Sequence, residues 1–325
     1  MRTYILKRLL WMLPVLIGIS LVTFLVMHLA PGGPVELMTD MSPKIDASAR
    51  AHLAESYGLD QPVLVQYGKW FIRMFSFDFG NSFKDGVPVI TKIARCLPAT
   101  LLLQILSLGL IWALAIPIGV TSAARHGSLY DRTLTLLVFI GYATPTFWLA
   151  LLLMILFGVR LGWLPVSGLT SVNFALLGFW GKAGDVLSHL VLPVVVSAFG
   201  GLAGLSRYTK SSTLEVLHQD FIRTARAKGV PEKQVLWKHA WRNAMIPAVT
   251  ILGLSLPSLI GGSFIFETIF AWPGMGRLGY QAIMSRDYPV LMGVAVIAAF
   301  LTLLGNLLAD ISYARVDPRV RYSKK

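Results

Sequence analysis

The chain has 325 residues, is 55% hydrophobic and only 14% charged, and combines a mean hydropathy of +0.66 with a formal net charge of +13. That balance excludes an ordinary soluble domain and suits a chain that lives in a bilayer. The basic excess lies mainly on the segments between apolar runs, where it acts as a topology signal, so no nucleic-acid partner is expected.

Six windows are long and apolar enough to cross a membrane, which takes about 20 residues. They are 9–29, 98–123, 134–157, 187–205, 244–266 and 290–309, and none holds Asp, Glu, Lys or Arg. The first follows Arg2, Lys7 and Arg8 in the manner of a secretory signal. Its apolar run exceeds the roughly 7–15 residues of a signal core, and Ala30-Pro31-Gly32-Gly33-Pro34 is no small-x-small cleavage site, so a retained span is expected.

Residues 30–97 read as a long outer loop with structure of its own. A helix over 47–57 is expected to stop at Gly58, and Asp60-Gln61-Pro62 turns the chain into a second helix over 63–75. There Val63, Leu64, Tyr67, Trp70, Phe71, Met74 and Phe75 form an apolar stripe, with Gln66, Lys69 and Arg73 off it. Such a helix belongs against the outer bilayer face or the spans. The chain therefore divides into 1–97, the first span with this loop, and 98–325, a five-helix core. Cys96 is the one cysteine, which rules out an intrachain disulfide and a thiolate metal site.

Glycines and prolines mark where the later spans bend or touch. Pro145 stands between Thr144 and Thr146, whose hydroxyls can cover the carbonyl a proline leaves free. Gly200 and Gly204 form a G-x-x-x-G pair, a close-packing signal. Pro247, Gly253, Pro257, Gly261 and Gly262 make the fifth span the one expected to be most distorted. Distorted helices often line cavities, so Pro145, Pro257, Gly261 and Gly262 are the candidate pathway residues.

Between the fourth and fifth spans lies a polar, basic loop, 206–243, carrying FIRTARAKG from Phe221 to Gly229. It is rich in helix formers and broken once, at Gly229-Val230-Pro231, which predicts two short helices joined by a tight turn. With the amino terminus inside, the inner segments hold 18 of the 29 Lys and Arg, 8 of them in this loop. Both termini and the loop are therefore expected in the cytoplasm.

No catalytic constellation emerges. Gly274-Met275-Gly276-Arg277-Leu278-Gly279 fits G-x-G-x-x-G, but it follows Ala271-Trp272-Pro273 instead of a strand and lacks an acidic residue about 20 positions on. Asp78-Phe79-Gly80 matches a kinase triplet without the rest of a kinase. The six histidines show no ligand spacing, and no glycine-rich loop ends in Lys-Ser or Lys-Thr. The chain is expected to be no enzyme, to bind no metal and to need no cofactor of its own. Ion-coupled transport would leave an ionisable group near the bilayer midplane, yet the nearest, Glu267 and Asp310, fall at the ends of the fifth and sixth spans. The driving energy is therefore expected from elsewhere.

The stretch GLSRYTKSSTLEVLHQDFIRTARAKG from Gly204 to Gly229, with Lys238-His239-Ala240-Trp241-Arg242-Asn243-Ala244 after it, resembles the cytoplasmic signature of ABC-importer permeases of the oligopeptide and dipeptide type. The resemblance covers nearly the whole chain. It includes Leu29-Ala30-Pro31-Gly32, Asp78-Phe79-Gly80 with Ser82, Leu97-Pro98-Ala99-Thr100, Gly162-Trp163-Leu164-Pro165, Phe266-Glu267-Thr268, Ala271-Trp272-Pro273-Gly274, Arg286-Asp287-Tyr288-Pro289 and Asp317-Pro318-Arg319, in order.

That resemblance implies an all-α membrane protein of six transmembrane helices, a type I ABC-importer-like permease with a cytoplasmic coupling-helix loop, in the bacterial cytoplasmic (inner) membrane. Its implied partners are a second homologous permease, two cytosolic ATPase subunits that bind the ATP, and an extracytoplasmic solute-binding protein that delivers peptide. The implied ATPase-coupling residues are Asp220, Arg223, Thr224, Ala225, Arg226, Ala227, Lys228 and Gly229. One departure stands out: the broad permease signature begins Glu-Ala-Ala, where this chain has Arg223-Thr224-Ala225, and Pro247 lies further from Gly229 than that pattern allows. Two other readings stay open, a nickel importer's permease, which shares these blocks, and an ion-coupled carrier or channel.

Overall fold

The structure, a computed structural model, describes residues 2–29, 61–245, 255 and 262–316. The described residues are helical, with a single isolated bridge between Asn81 and Pro88. Helix α1 is Arg2–Leu29, α2 Val63–Phe75, α3 Val89–Ala124, α4 Leu129–Ala143, α5 Thr146–Leu153 with a π-helical continuation Met154–Arg160, and α6 Phe179–Leu217. After α7, Asp220–Ala227, come Glu232–Gln234, π-helical Val235–Ala240 and Trp241–Ala244, together α8. Then follow α9, Phe264–Ile269, α10, Met275–Met284, and α11, Tyr288–Val316.

Four of these helices, α1, α3, α6 and α11, are long and apolar enough to cross a membrane, and the α4–α5 pair passes the same test as one broken span. The expected third span, with its bend at Pro145, is broken there into two helices that meet at 101°. Pro145 starts α5 as its cap, Thr144 closes α4 with both its N–H and its hydroxyl on the Ile140 carbonyl, and no helical hydrogen bond bridges them. Most of the expected fifth span, 244–266, and the expected 47–57 helix lie outside the described residues.

The start of α4 is locally encoded. The Ser128 hydroxyl accepts the Asp131 N–H at 3.2 Å, while Asp131 Oδ2 accepts the Gly127 N–H at 3.0 Å, a reciprocal cap. Helix α2 lays the middle of its stripe on α1 and the core, while Val63, Leu64 and Phe75 stay exposed: Tyr67 meets Ser20 at 2.9 Å, His28 meets Gln66 at 3.1 Å, and Phe24 packs between His28, Tyr67 and Trp70. Arg8 pairs with Asp310 at 2.9 Å, fastening α1 to α11 at their other ends.

The central contact is α3 against α6. A Cβ at Gly119 would lie 2.6 Å from Thr209 Cβ, 2.7 Å from the Ser206 carbonyl and 2.9 Å from the Lys210 nitrogen, so only glycine lets the two backbones meet there. Gly201 makes room for the Ile111 side chain of α3, which would lie 2.6 Å from a Cβ there. The expected Gly200 and Gly204 pair does not, since neither has a neighbour within 4 Å; its stripe turns away from α3. Span four also outruns its window: α6 continues to Leu217, because Arg207–Leu217 keeps the helical period and buries Thr209, Thr213 and Val216, packing that outweighs the middling helix propensity of its Ser, Thr and Val.

Toward the end opposite the elbow, Met74, Phe79, Val89, Ile93, Met275 and Val290 build one cluster, and Ala99, Leu103, Ala150, Val196, Phe266, Phe270 and Trp272 a second. The Asp78-Phe79-Gly80 block lies here: Gly80, at φ +77, turns the chain so that Phe79 is buried and Ser82 reaches Asp287 at 2.5 Å, with Lys92 on Ser82 at 2.8 Å.

Candidate functional site

The loop after α6 folds as the expected elbow, and its geometry follows from a few residues. In α7, Gly229 N–H donates to the Arg226 carbonyl at 2.9 Å and Val230 N–H to the Ala225 carbonyl at 3.2 Å, with Gly229 at φ +74. This is a complete Schellman stop, and Val230 packs with Ala225 as that motif favours. Pro231 then opens α8. Arg226 crosses the turn to Glu232 with two hydrogen bonds, 2.6 and 3.1 Å, pinning α7 to α8.

Under the turn lies a small core of Val216, Ile222, Ala225, Val235, Ala240 and Ala244. Because Val216 belongs to α6, the elbow is packed onto the end of a spanning helix and does not hang from it on a flexible linker. The opposite face of α7 is open: Asp220, Phe221, Arg223, Thr224, Arg226, Ala227, Lys228 and Gly229 are all exposed. Of the coupling residues expected from the sequence, Ala225 therefore stands apart, buried in the elbow's own core and unavailable to a partner. Arg226 is engaged with Glu232, and Arg223 leans on Asp220 at 3.5 Å with most of its surface free.

The Arg226 guanidinium holds the Glu232 carboxyl below its ordinary value, and its hydrogen bond is the chief cause. A depressed carboxyl contributes in full above its unfolded value and is lost only as pH falls through the folded one, so the clasp does not titrate between pH 6 and 8. Both partners are substantially exposed, so the effect of removing it is small. Glu232→Gln is expected to raise tryptic cleavage after Lys228 at pH 8 by about two- to fivefold. An unchanged cleavage rate would show that the clasp does not hold the turn.

The candidate pathway residues separate. Pro145 sits at the α4–α5 break. Pro257 and Gly261 lie outside the described residues. Gly262 is described, at φ +59, and belongs to an arrangement that sequence reasoning missed. The Glu267 side chain is fully buried. Its carboxyl accepts the Thr100 hydroxyl at 3.1 Å and the Arg277 N–H at 2.9 Å, with further backbone hydrogen bonds from Gly276 and Ser263. Thr100 in turn accepts the Met275 N–H at 2.8 Å, Trp272 donates to the Ala99 carbonyl at 2.9 Å, and Arg277 reaches the Ala271 carbonyl at 2.6 Å. A Cβ at Gly262 or Gly274 would fall 2.7 or 2.5 Å from the carboxyl, and one at Gly276 within 2.9 Å of the 263–264 backbone. The G-x-G-x-x-G run thus encloses a carboxyl of its own chain. Its signal in the sequence was the clustering of glycines on both sides of a lone acid at the end of an apolar window.

No group of three or more His, Cys, Asp or Glu with metal-ligand geometry occurs among the described residues. Residues 115–322 match the family described as "Binding-protein-dependent transport system inner membrane component", and residues 1–104 match the one described as "Binding-prot-dependent transport system membrane comp, N-term". The chain belongs to this family of transport permeases.

Curated relatives agree over full length. The chain is 47% identical over 323 residues to the oligopeptide transport system permease protein AppB of Bacillus subtilis, covering 99% of this chain and 100% of that one. It is 39% identical over 340 residues to the dipeptide transport system permease protein DppB of Escherichia coli K12, covering 100% of both. Among solved structures, a chain of the inward facing MetNI methionine ABC transporter superposes with a TM-score of 0.55 at 20% identity, covering 70% of this chain and 97% of that one. The fold is thus that of an ABC-importer permease, a multi-pass component of the inner membrane that works with ATPase, binding-protein and permease partners.

Proposed function

We propose that this permease carries di- or oligopeptides, that it lines the translocation pathway together with one homologous permease, and that the elbow formed by α7 and α8 is where two cytosolic ATPase subunits drive the pair. The single observation that carries the coupling role is the construction of the elbow. An exposed α7 face is backed by a core shared with the end of a spanning helix, so a push on α7 is felt by α6. The peptide cargo is supported by the names of the full-length relatives, which favour it over nickel. The ATPases supply the nucleotide chemistry, and this chain contributes shape and movement without catalytic residues or a cofactor. Of the coupling residues, Asp220, Arg223, Thr224, Arg226, Ala227, Lys228 and Gly229 face the ATPase, and Ala225 supports them from below.

This reading places both termini and the elbow in the cytoplasm. In a Cys96→Ser background, Lys228→Cys in whole cells is expected to resist a membrane-impermeant maleimide and to react in inverted vesicles. Labelling from outside intact cells would overturn both orientation and coupling.

A further inference from the structure

Between the inner ends of α3, α4 and α6 the structure contains a cavity of about 260 Å³, lined by none of the elbow residues of α7 and α8. Its walls are apolar, with Val138 and Phe139 among them, and its polar lining includes Ser122, Arg207 and Lys210. Ser122 is 2% exposed and lines the cavity. Arg207 is exposed, while Lys210 is held by Asp131 at 2.5 Å. The cavity therefore has an oily wall, a serine hydroxyl and, at its exposed edge, a guanidinium, the lining expected for one end of an anionic amphiphile.

Depth and exposure identify which amphiphile. The apolar window of α6 ends at residue 205, so Arg207 and Lys210 stand roughly 3 and 7.5 Å beyond it at 1.5 Å per residue, the level at which a helix leaves hydrocarbon for headgroups. Phe139 lines the cavity and is also 48% exposed, beside Leu136, Leu137 and Ile140 on the outward face of α4, so the cavity opens toward an apolar surface. The volume is below the roughly 300–1,000 Å³ of a drug-sized site and too small for an oligopeptide. We propose that this cavity binds an anionic phospholipid of the inner leaflet, its phosphate held by Arg207 and Ser122 and the start of an acyl chain against Val138 and Phe139. The leaflet rests on the orientation proposed above.

The test uses the complete importer, reconstituted in nanodiscs, where both leaflets are present and binding is independent of orientation. After exchange into phosphatidylcholine with a trace of phosphatidylglycerol, native mass spectrometry is expected to find phosphatidylglycerol retained. Arg207→Gln should lower retention about fivefold, one surface charge's worth, and Arg207→Lys should restore most of it. Ser122→Met, which fills the cavity, should lower it as well, with the complex still assembled by size-exclusion chromatography. Equal retention by wild type and both loss variants would overturn the proposal. So would retention of inorganic phosphate alone, or a crosslink placing the second permease over Val138.

Discussion

Replacing Glu267 by Ala is expected to lower the melting temperature of the purified permease by roughly 5–15 °C and to abolish uptake. The carboxyl is the shared acceptor for the Thr100 hydroxyl on α3 and the Arg277 N–H on α10, both inside the protein. Stranding a buried donor costs about 1–3 kcal/mol each, so losing these two costs about 2–6 kcal/mol before the emptied space is counted. Glu267→Gln keeps one acceptor oxygen but aims an NH₂ at a donor, and is expected to fall between wild type and Ala. Gly276→Ala attacks the same knot from outside, since its Cβ would lie 2.8 Å from the Phe264 nitrogen, main chain that cannot swing aside. Thermal unfolding in detergent and labelled-peptide uptake measure both consequences. An Ala variant that melts within 2 °C of wild type and transports normally would show that the knot is ornamental.

Gly229→Pro is expected to leave the protein in the membrane while bringing ATP-driven uptake to background. Proline fixes φ near −65°, whereas residue 229 stands at +74, and proline also removes the N–H that meets the Arg226 carbonyl at 2.9 Å. The α7–α8 turn then cannot form, and Ile222 loses the core beneath it. Gly229→Ala keeps the N–H and carries only the left-handed penalty of about 1–2 kcal/mol, so partial uptake is expected. Arg223→Asp tests docking without disturbing the turn, because Arg223 makes only the weak contact to Asp220. Normal uptake by Gly229→Pro, with immunoblotting to confirm equal insertion, would remove the elbow from the coupling mechanism.

Local physics was readable from the sequence, and distant pairing was not. The 63–75 helix has the expected bounds because Pro62 opens it and its stripe has one partner surface. The elbow's turn was readable because Gly229 and Pro231 are each specific to one side of a helix boundary. The severity of the break at Pro145 was not, since a proline alone does not distinguish a kink from a corner. Nor was the face on which glycines pack: Gly119 meets Ser206, Thr209 and Lys210 far along the chain, and only that pairing across α3 and α6 shows that it, and not Gly200 or Gly204, sets the spacing. The carboxyl knot was hidden for the same reason, its parts lying at 100, 262–267 and 274–277.

Helix α6 runs 39 residues without interruption, close to 58 Å at 1.5 Å per residue, and touches α3 most tightly around 206–210. That pivot lies about 12 Å from the elbow end and about 45 Å from Phe179. On the coupling role proposed above, a see-saw of those proportions would multiply travel nearly fourfold, turning an ångström of movement at the elbow into several at Phe179.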